Sequence, residues 1–255
     1  MAVVLVVLGG IAPLPAALVV AALGGLAVAA GSLGAFGRAD PRSVPPESLI
    51  LGGVLAAGSA GAIRLLPTGV AWIPALVLVG LVLWAVLRLE GRLVGGTSSP
   101  TDDERLRLLA GVVGIAFVAF TGVAALVPSA LVGPGVPAAA DPGSPDPVAT
   151  LVVADALVAA LLGFRASALR YPGLRDRLWS AATYGVVIAV AAGVGRAIGL
   201  PRLVGPAVLT LVLYLWDTVH NAGPARRREV RFAWETALLV ALGVVVVAWN
   251  LRLEG

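Results

Sequence analysis

The chain has 255 residues, of which 59% are hydrophobic and only 13% charged, with a net charge of +4. A soluble domain carries about 25% charged residues, and a soluble chain this apolar could not cover its surface with polar groups, so its solvent is lipid. Cysteine and lysine are both absent, which excludes disulfides, thiolate–metal and iron–sulfur sites, thiol catalysis and Schiff-base chemistry.

Residues 1–12 are apolar but too short for a full span, and Pro13-Leu14-Pro15 interrupts any continuous helix across them. They suit either a re-entrant half-helix or a short extra span. Met1–Leu8 has no basic stretch before its apolar run, so no cleavable signal peptide is expected. A crossing helix needs about 20 apolar residues. That length fits eight segments: 15–36, 47–65, 70–89, 106–128, 147–165, 179–199, 203–220 and 232–251. The expected fold is therefore an all-α polytopic integral membrane bundle of about eight transmembrane helices. Residues 1–127 form a first half, 128–147 a Pro/Gly-rich linker and 148–255 a second half.

All 18 basic residues are arginines, and 14 of them follow the odd-numbered spans. Arg38 and Arg42 follow the first span; Arg88, Arg92, Arg105 and Arg107 the third; Arg165, Arg170, Arg175 and Arg177 the fifth; and Arg226, Arg227, Arg228 and Arg231 the seventh. Arg64, Arg196, Arg202 and Arg252 lie on the other side. This asymmetry places the odd-numbered loops in the cytoplasm and the C-terminus outside a prokaryotic cytoplasmic membrane. The same distribution explains the pI near 10.6 without a nucleic-acid partner. The expected partners are membrane lipids with anionic headgroups, met by Arg226, Arg227, Arg228 and Arg231; further copies of the chain or other membrane subunits are compatible with the pattern. The six tryptophans (Trp72, Trp84, Trp179, Trp216, Trp234 and Trp249) fall near expected span ends, where indole rings favour the interface. Ser99-Pro100 ahead of Asp102, Asp103 and Glu104 reads as the start of the fourth helix, with serine as the cap.

Two segments resemble each other. Leu66-Pro67 and Pro74-Ala75 leading to Trp84 parallel Leu200-Pro201 and Pro206-Ala207 leading to Trp216, with Pro74 and Pro206, and Trp84 and Trp216, each 132 residues apart. Four spans followed by four in the same orientation would make a parallel 4+4 repeat.

Two places combine groups that carry chemistry. Asp155 sits near the middle of the fifth span, where a lone carboxylate must be protonated, paired or facing water. It is a proton or cation site, the partner of Arg196 on the neighbouring span, or hydrogen-bonded to a backbone group at a glycine kink. The second place is the inner end of the seventh span. There Asp217 and His220 share a helix face, and Glu235 lies at similar depth on the eighth span. The leading expectation is a non-enzymatic protein, either small and transporter-like or a subunit or scaffold of a larger assembly. The alternative is an enzyme acting on lipid phosphate or polyprenyl phosphate through Asp217, His220 and Glu235 with loop arginines on the phosphate. If Asp217 and Glu235 instead each pair with separate arginines and no cavity lies between the seventh and eighth spans, the cluster is an anchor. No cofactor is expected: phosphate-binding glycine loops and Rossmann turns are missing, and the glycines lie within spans, where they suit close helix packing.

The arginine asymmetry predicts that reporter fusions after Arg107 and after Arg228 both report a cytoplasmic location. A periplasmic signal at either would reverse the orientation.

Overall fold

The structure is a computed structural model that describes residues 2–35, 44–95, 101–127, 147–200 and 204–253. Arg38, Arg42, Arg202, Ser99, Pro100 and most of the linker lie outside the described residues. The described residues form α-helices and short 3₁₀ turns, with no strand. The helices are α1 (Ala2–Ile11), α2 (Leu14–Ala35), α3 (Ile50–Ala62), α4 (Trp72–Gly95), α5 (Asp102–Leu126), α6 (Pro147–Ala168), α7 (Leu174–Ala197), α8 (Val204–His220), α9 (Pro224–Arg227) and α10 (Val230–Leu253). The 3₁₀ turns Pro46–Leu49 and Ile63–Leu65 extend α3 at both ends.

Seven described helices are long and apolar enough to cross a bilayer: α2, α3 with its flanking turns, α4, α5, α6, α7 and α10. The chain is thus a multi-pass helical membrane protein. The remaining expected span, α8, has 17 residues, about 25 Å of helix at 1.5 Å per residue and near the lower limit for a crossing. Helix ends depart from the expected boundaries because polar residues continue the hydrogen-bonded ladder past the apolar stretch. α4 runs on to Gly95, so Arg88 and Arg92 are helical rather than loop residues, and Arg165 lies inside α6. The cap of α5 is Thr101 rather than Ser99. The Glu104 N–H donates to the Thr101 hydroxyl oxygen, and the Glu104 carboxylate accepts from the Thr101 N–H in return, a reciprocal pairing that satisfies two donors at once.

Most of residues 1–12 form a helix of their own, α1. Its ten residues span about 15 Å, half the thickness of the hydrocarbon core, and it packs on α2, α3 and α4. Its last turn would leave carbonyls unpaired in an apolar setting. Arg64, reaching from the turn after α3, donates Nη1 to the carbonyls of Gly9 at 2.7 Å and Ala12 at 2.8 Å.

Small residues set the helix crossings. In lipid, burial gives helices little reason to associate, so close backbone contact replaces it. A Cβ placed on Gly122 of α5 would lie 2.1 Å from the Gly58 carbonyl oxygen of α3, and one on Gly61 would lie 2.3 Å from that of Gly122. The core formed around this crossing runs from Leu51 and Leu55 of α3 through Ile115 and Phe120 of α5 to Tyr184 and Ile188 of α7. α4 and α10 hold few buried residues, and most of their apolar side chains are exposed or half-buried.

Matching contacts recur about 132 residues apart. A Cβ on Gly53 would meet the Gly25 carbonyl and the Ala29 Cβ, and one on Gly185 would meet the Ala156 carbonyl and the Ala160 Cβ. Arg88 lies over the Trp84 ring at 5.0 Å, and His220 stacks on Trp216 at 5.1 Å. Arg64 and Arg196 stand at the same offset, Arg64 in the turn that follows α3 and Arg196 in the last turn of α7.

The α3–α5 contact predicts that Gly122→Leu lowers stability by about 3 kcal/mol through overpacking. Gly80→Leu on α4, where an added Cβ meets nothing within 4 Å, should be near neutral. Thermal melting of both variants in detergent checks this; equal melting temperatures would contradict the close crossing.

Candidate functional site

Carboxylates and arginines meet in pairs at the arginine-rich end of the bundle. Glu90 at the end of α4 and Arg165 at the end of α6 form a two-pronged pair, with Nε–Oε1 and Nη2–Oε2 both at 2.7 Å. Both residues are almost wholly buried. Arg177 in the first turn of α7 reaches Glu47 in the turn before α3 at 2.7 Å, while its Nε donates to the Tyr171 carbonyl at 2.7 Å. Arg170, just beyond α6, grips Asp217 of α8 with both Nη atoms, at 2.7 and 2.8 Å. Parallel N–H···O pairs of this kind are among the stronger charge-assisted contacts. Burial acts to lower the Arg170 pKa. The hydrogen bonds and charge of Asp217 outweigh burial, so the Arg170 pKa stands above the ordinary arginine value and its charge is permanent.

Asp217 is the hub of a wider network. The Tyr184 hydroxyl donates to its Oδ1. Asn221 Nδ2 donates to the same oxygen at 3.3 Å and to the Tyr184 oxygen at 3.1 Å. The Tyr171 hydroxyl donates to Asn221 Oδ1 at 3.3 Å. Tyr184 reaches Asp217 because its ring lies against Gly163 of α6, where any Cβ would sit 2.6 Å from the ring. One glycine thus positions the phenol that completes the carboxylate's shell.

This network closes one end of a cavity of about 490 Å³ between α5, α6, α7 and α8. Its walls are largely apolar (Leu106, Leu109, Val113, Leu162, Leu213), and its polar residues are Arg170, Tyr184, Tyr214, Asp217, Thr218 and Asn221, with Arg226 at the rim. A second cavity, about 60 Å³, lies between the same four helices toward the opposite end. It is lined by Phe120, Asp155, Ala192, Arg196, Pro206 and Leu209, among others. Between the two cavities each helix contributes buried residues: Ile115 and Ala116 on α5, Ala159 on α6, Ile188 on α7 and Thr210 on α8.

The residues singled out in the sequence fall into three places. Asp155 is 2% exposed and lines the second cavity together with Arg196, and its Oδ1 has no hydrogen-bond partner among the described residues. Asp217 lines the first cavity, held by Arg170. His220 and Glu235 do not join it. His220 stacks on Trp216, and its carbonyl accepts from Arg227 at 2.9 Å. Glu235 pairs with Arg231 on the exposed side of α10 at 2.8 Å. Of the four arginines expected at headgroups, Arg226 reaches the cavity rim and lies 5.6 Å over the Phe232 ring; Arg227 and Arg228 are exposed around α9. Among the described residues no three histidine or acidic side chains gather where they could share a metal ion. Glu90, Glu47, Tyr171, Tyr184 and Asn221 were not legible as site residues. The available signal was depth, since Glu90 and Arg165 each stand near the arginine-rich end of an apolar helix.

Breaking a buried pair strands a charge. Arg165→Leu should cost about 3–5 kcal/mol, and adding Glu90→Leu should recover much of that loss. Thermal denaturation of both single variants and the double variant in detergent measures the coupling; additive losses would contradict the pairing.

The chain matches no protein-family model, no curated protein and no solved structure, so its function has to be argued from this geometry.

Proposed function

We propose that this protein is a small transporter-type membrane protein whose path runs between α5, α6, α7 and α8, and whose larger cavity receives an amphiphile with an anionic head. The observation that carries this is the placement of two cavities between the same four helices, one toward each end, with buried residues from each helix between them. Ligand sites in helical bundles lie between helices and combine apolar walls with a few polar groups. The larger cavity has that composition. Its leucine and valine walls suit a hydrocarbon chain, and the Arg226 guanidinium at its rim suits a phosphate or carboxylate. Arginine asymmetry supports placing this cavity on the cytoplasmic side of a prokaryotic cytoplasmic membrane, with the C-terminus outside.

The recurring contacts at an offset of about 132 support a duplication of α2–α5 into α6, α7, α8 and α10. Transporters built from repeats hold their sites where the repeats meet. Here the last helix of the first half, α5, faces α6 and α8 of the second, and both cavities lie along that seam. The lipid-phosphate enzyme reading gains no comparable support, because His220 and Glu235 stand away from the cavity that Asp217 lines.

Native mass spectrometry of the purified protein with added anionic or zwitterionic phospholipid tests the amphiphile site. The anionic lipid should be retained preferentially. Arg226→Gln should weaken its retention roughly tenfold, the equivalent of about 1.4 kcal/mol for a lost charge-assisted contact. Val113→Trp should block retention by filling the cavity, while Val190→Trp on the exposed face of α7 should not. Retention that ignores both Val113→Trp and Arg226→Gln would leave the cluster as an anchor.

A further inference from the structure

Four of the acids that face other helices or the arginine-rich end are matched to arginines. Glu47 meets Arg177, Glu90 meets Arg165, Asp217 meets Arg170 and Glu235 meets Arg231. Asp155 stands apart from this pattern. It is 2% exposed, eight residues into α6, about 12 Å along the helix from its start, and its Oδ1 is buried with no hydrogen-bond partner among the described residues. An unsatisfied carboxylate oxygen in an apolar interior is costly, and such a group persists where it has work to do.

The surroundings specify what that work is. The cavity beside Asp155 holds about 60 Å³, enough for a few waters, since one needs roughly 10–15 Å³. The side chains lining it from α5 are Phe120 and Ala124, and from α8 Pro206, Val208 and Leu209; none is charged or titratable. From α7 the charged group is Arg196. Arg202 lies outside the described residues. A metal cation such as sodium or calcium needs several oxygen ligands, and Asp155 supplies the only side-chain carboxylate or hydroxyl among the lining residues. One carboxylate with water access beside an arginine suits a proton. The carboxylate takes a proton from a cavity water to become the neutral acid, and returns it to water when it ionises.

We propose that Asp155 is a proton-binding site on the path between α5, α6, α7 and α8, exchanging its proton through the cavity it shares with Arg196 at the end opposite the arginine-rich one. The proposal rests on the path reading above for its role in transport, but the site itself is tested separately.

The test uses dicyclohexylcarbodiimide, an apolar reagent that modifies carboxyl groups in their protonated form within membranes. The purified full-length protein is treated over a series of pH values, and the modified residue is located by peptide mass spectrometry. The expected result is labelling of Asp155 that falls progressively as pH rises. Asp155→Asn should remove the label at that peptide, Asp155→Glu should retain it, and both variants should keep the wild-type melting temperature to within a few degrees. No labelling at any pH would mean a permanently ionised partner of Arg196, and labelling independent of pH would mean a permanently neutral structural acid. Either result overturns the proposal. If Asp155 titrates while Val113→Trp leaves lipid retention unchanged, the proton site stands and the amphiphile reading falls; the converse result rejects the proton site alone.

Discussion

A carboxylate in hydrocarbon has to be protonated, face water or be answered by a cation within hydrogen-bonding distance, and the last of these organises the arginine-rich end of the bundle. Glu90–Arg165 joins α4 to α6, Glu47–Arg177 joins the start of α3 to the start of α7, and Asp217–Arg170 joins α8 to the turn after α6. Each pair bridges elements far apart in sequence, so together they fix which helix ends are neighbours. A buried pair adds little net stability compared with apolar residues of the same shape, but a broken one is expensive. The pairs therefore act mainly by making alternative arrangements costly. The exposed pairs Arg107–Asp103 and Arg231–Glu235 lie within single helices, and solvent screening leaves them little influence on the fold.

The opposite requirement, close approach without charge, is met by glycine. The α3–α5 crossing at Gly58, Gly61 and Gly122 brings backbones into contact, and Gly163 lets the Tyr184 ring lie flat on α6. These two devices work together at the cavity. Gly163 sets the depth of Tyr184, Tyr184 completes the shell of Asp217, and Arg170 binds that carboxylate from the neighbouring turn. The cavity remains where the facing residues are small, with Ala110, Gly163 and Ala166 at the larger one and Gly195 and Gly205 at the smaller one.

The helical membrane fold was legible because lipid imposes one signal, a long apolar run, that needs no tertiary knowledge. Asp155 was legible for the same reason: a single acid in such a run stands out. The ten-residue α1 could be read only as two alternatives, because the group that meets its last carbonyls, Arg64, lies more than fifty residues away in sequence. The pairing of Glu90 with Arg165 was invisible in the sequence. Arg165 looked like one more basic residue beside a loop, and only the α4–α6 contact shows it turned inward. Asp217, His220 and Glu235 looked like one cluster because sequence gives depth along a helix but not direction around the bundle. Asp217 turns toward α6 and α7, whereas Glu235 sits on the outward side of α10.

The central claim is that one set of four helices encloses two cavities, reached from opposite sides and closed from each other. The natural absence of cysteine makes a direct measurement possible. Single variants Val113→Cys in the larger cavity and Val208→Cys in the smaller one are reconstituted in oriented vesicles and exposed to a small charged methanethiosulfonate from one side at a time. The account predicts modification of Val113→Cys from the arginine-rich side only and of Val208→Cys from the other side only. Modification of both from the same side, or of neither from either side, would contradict it.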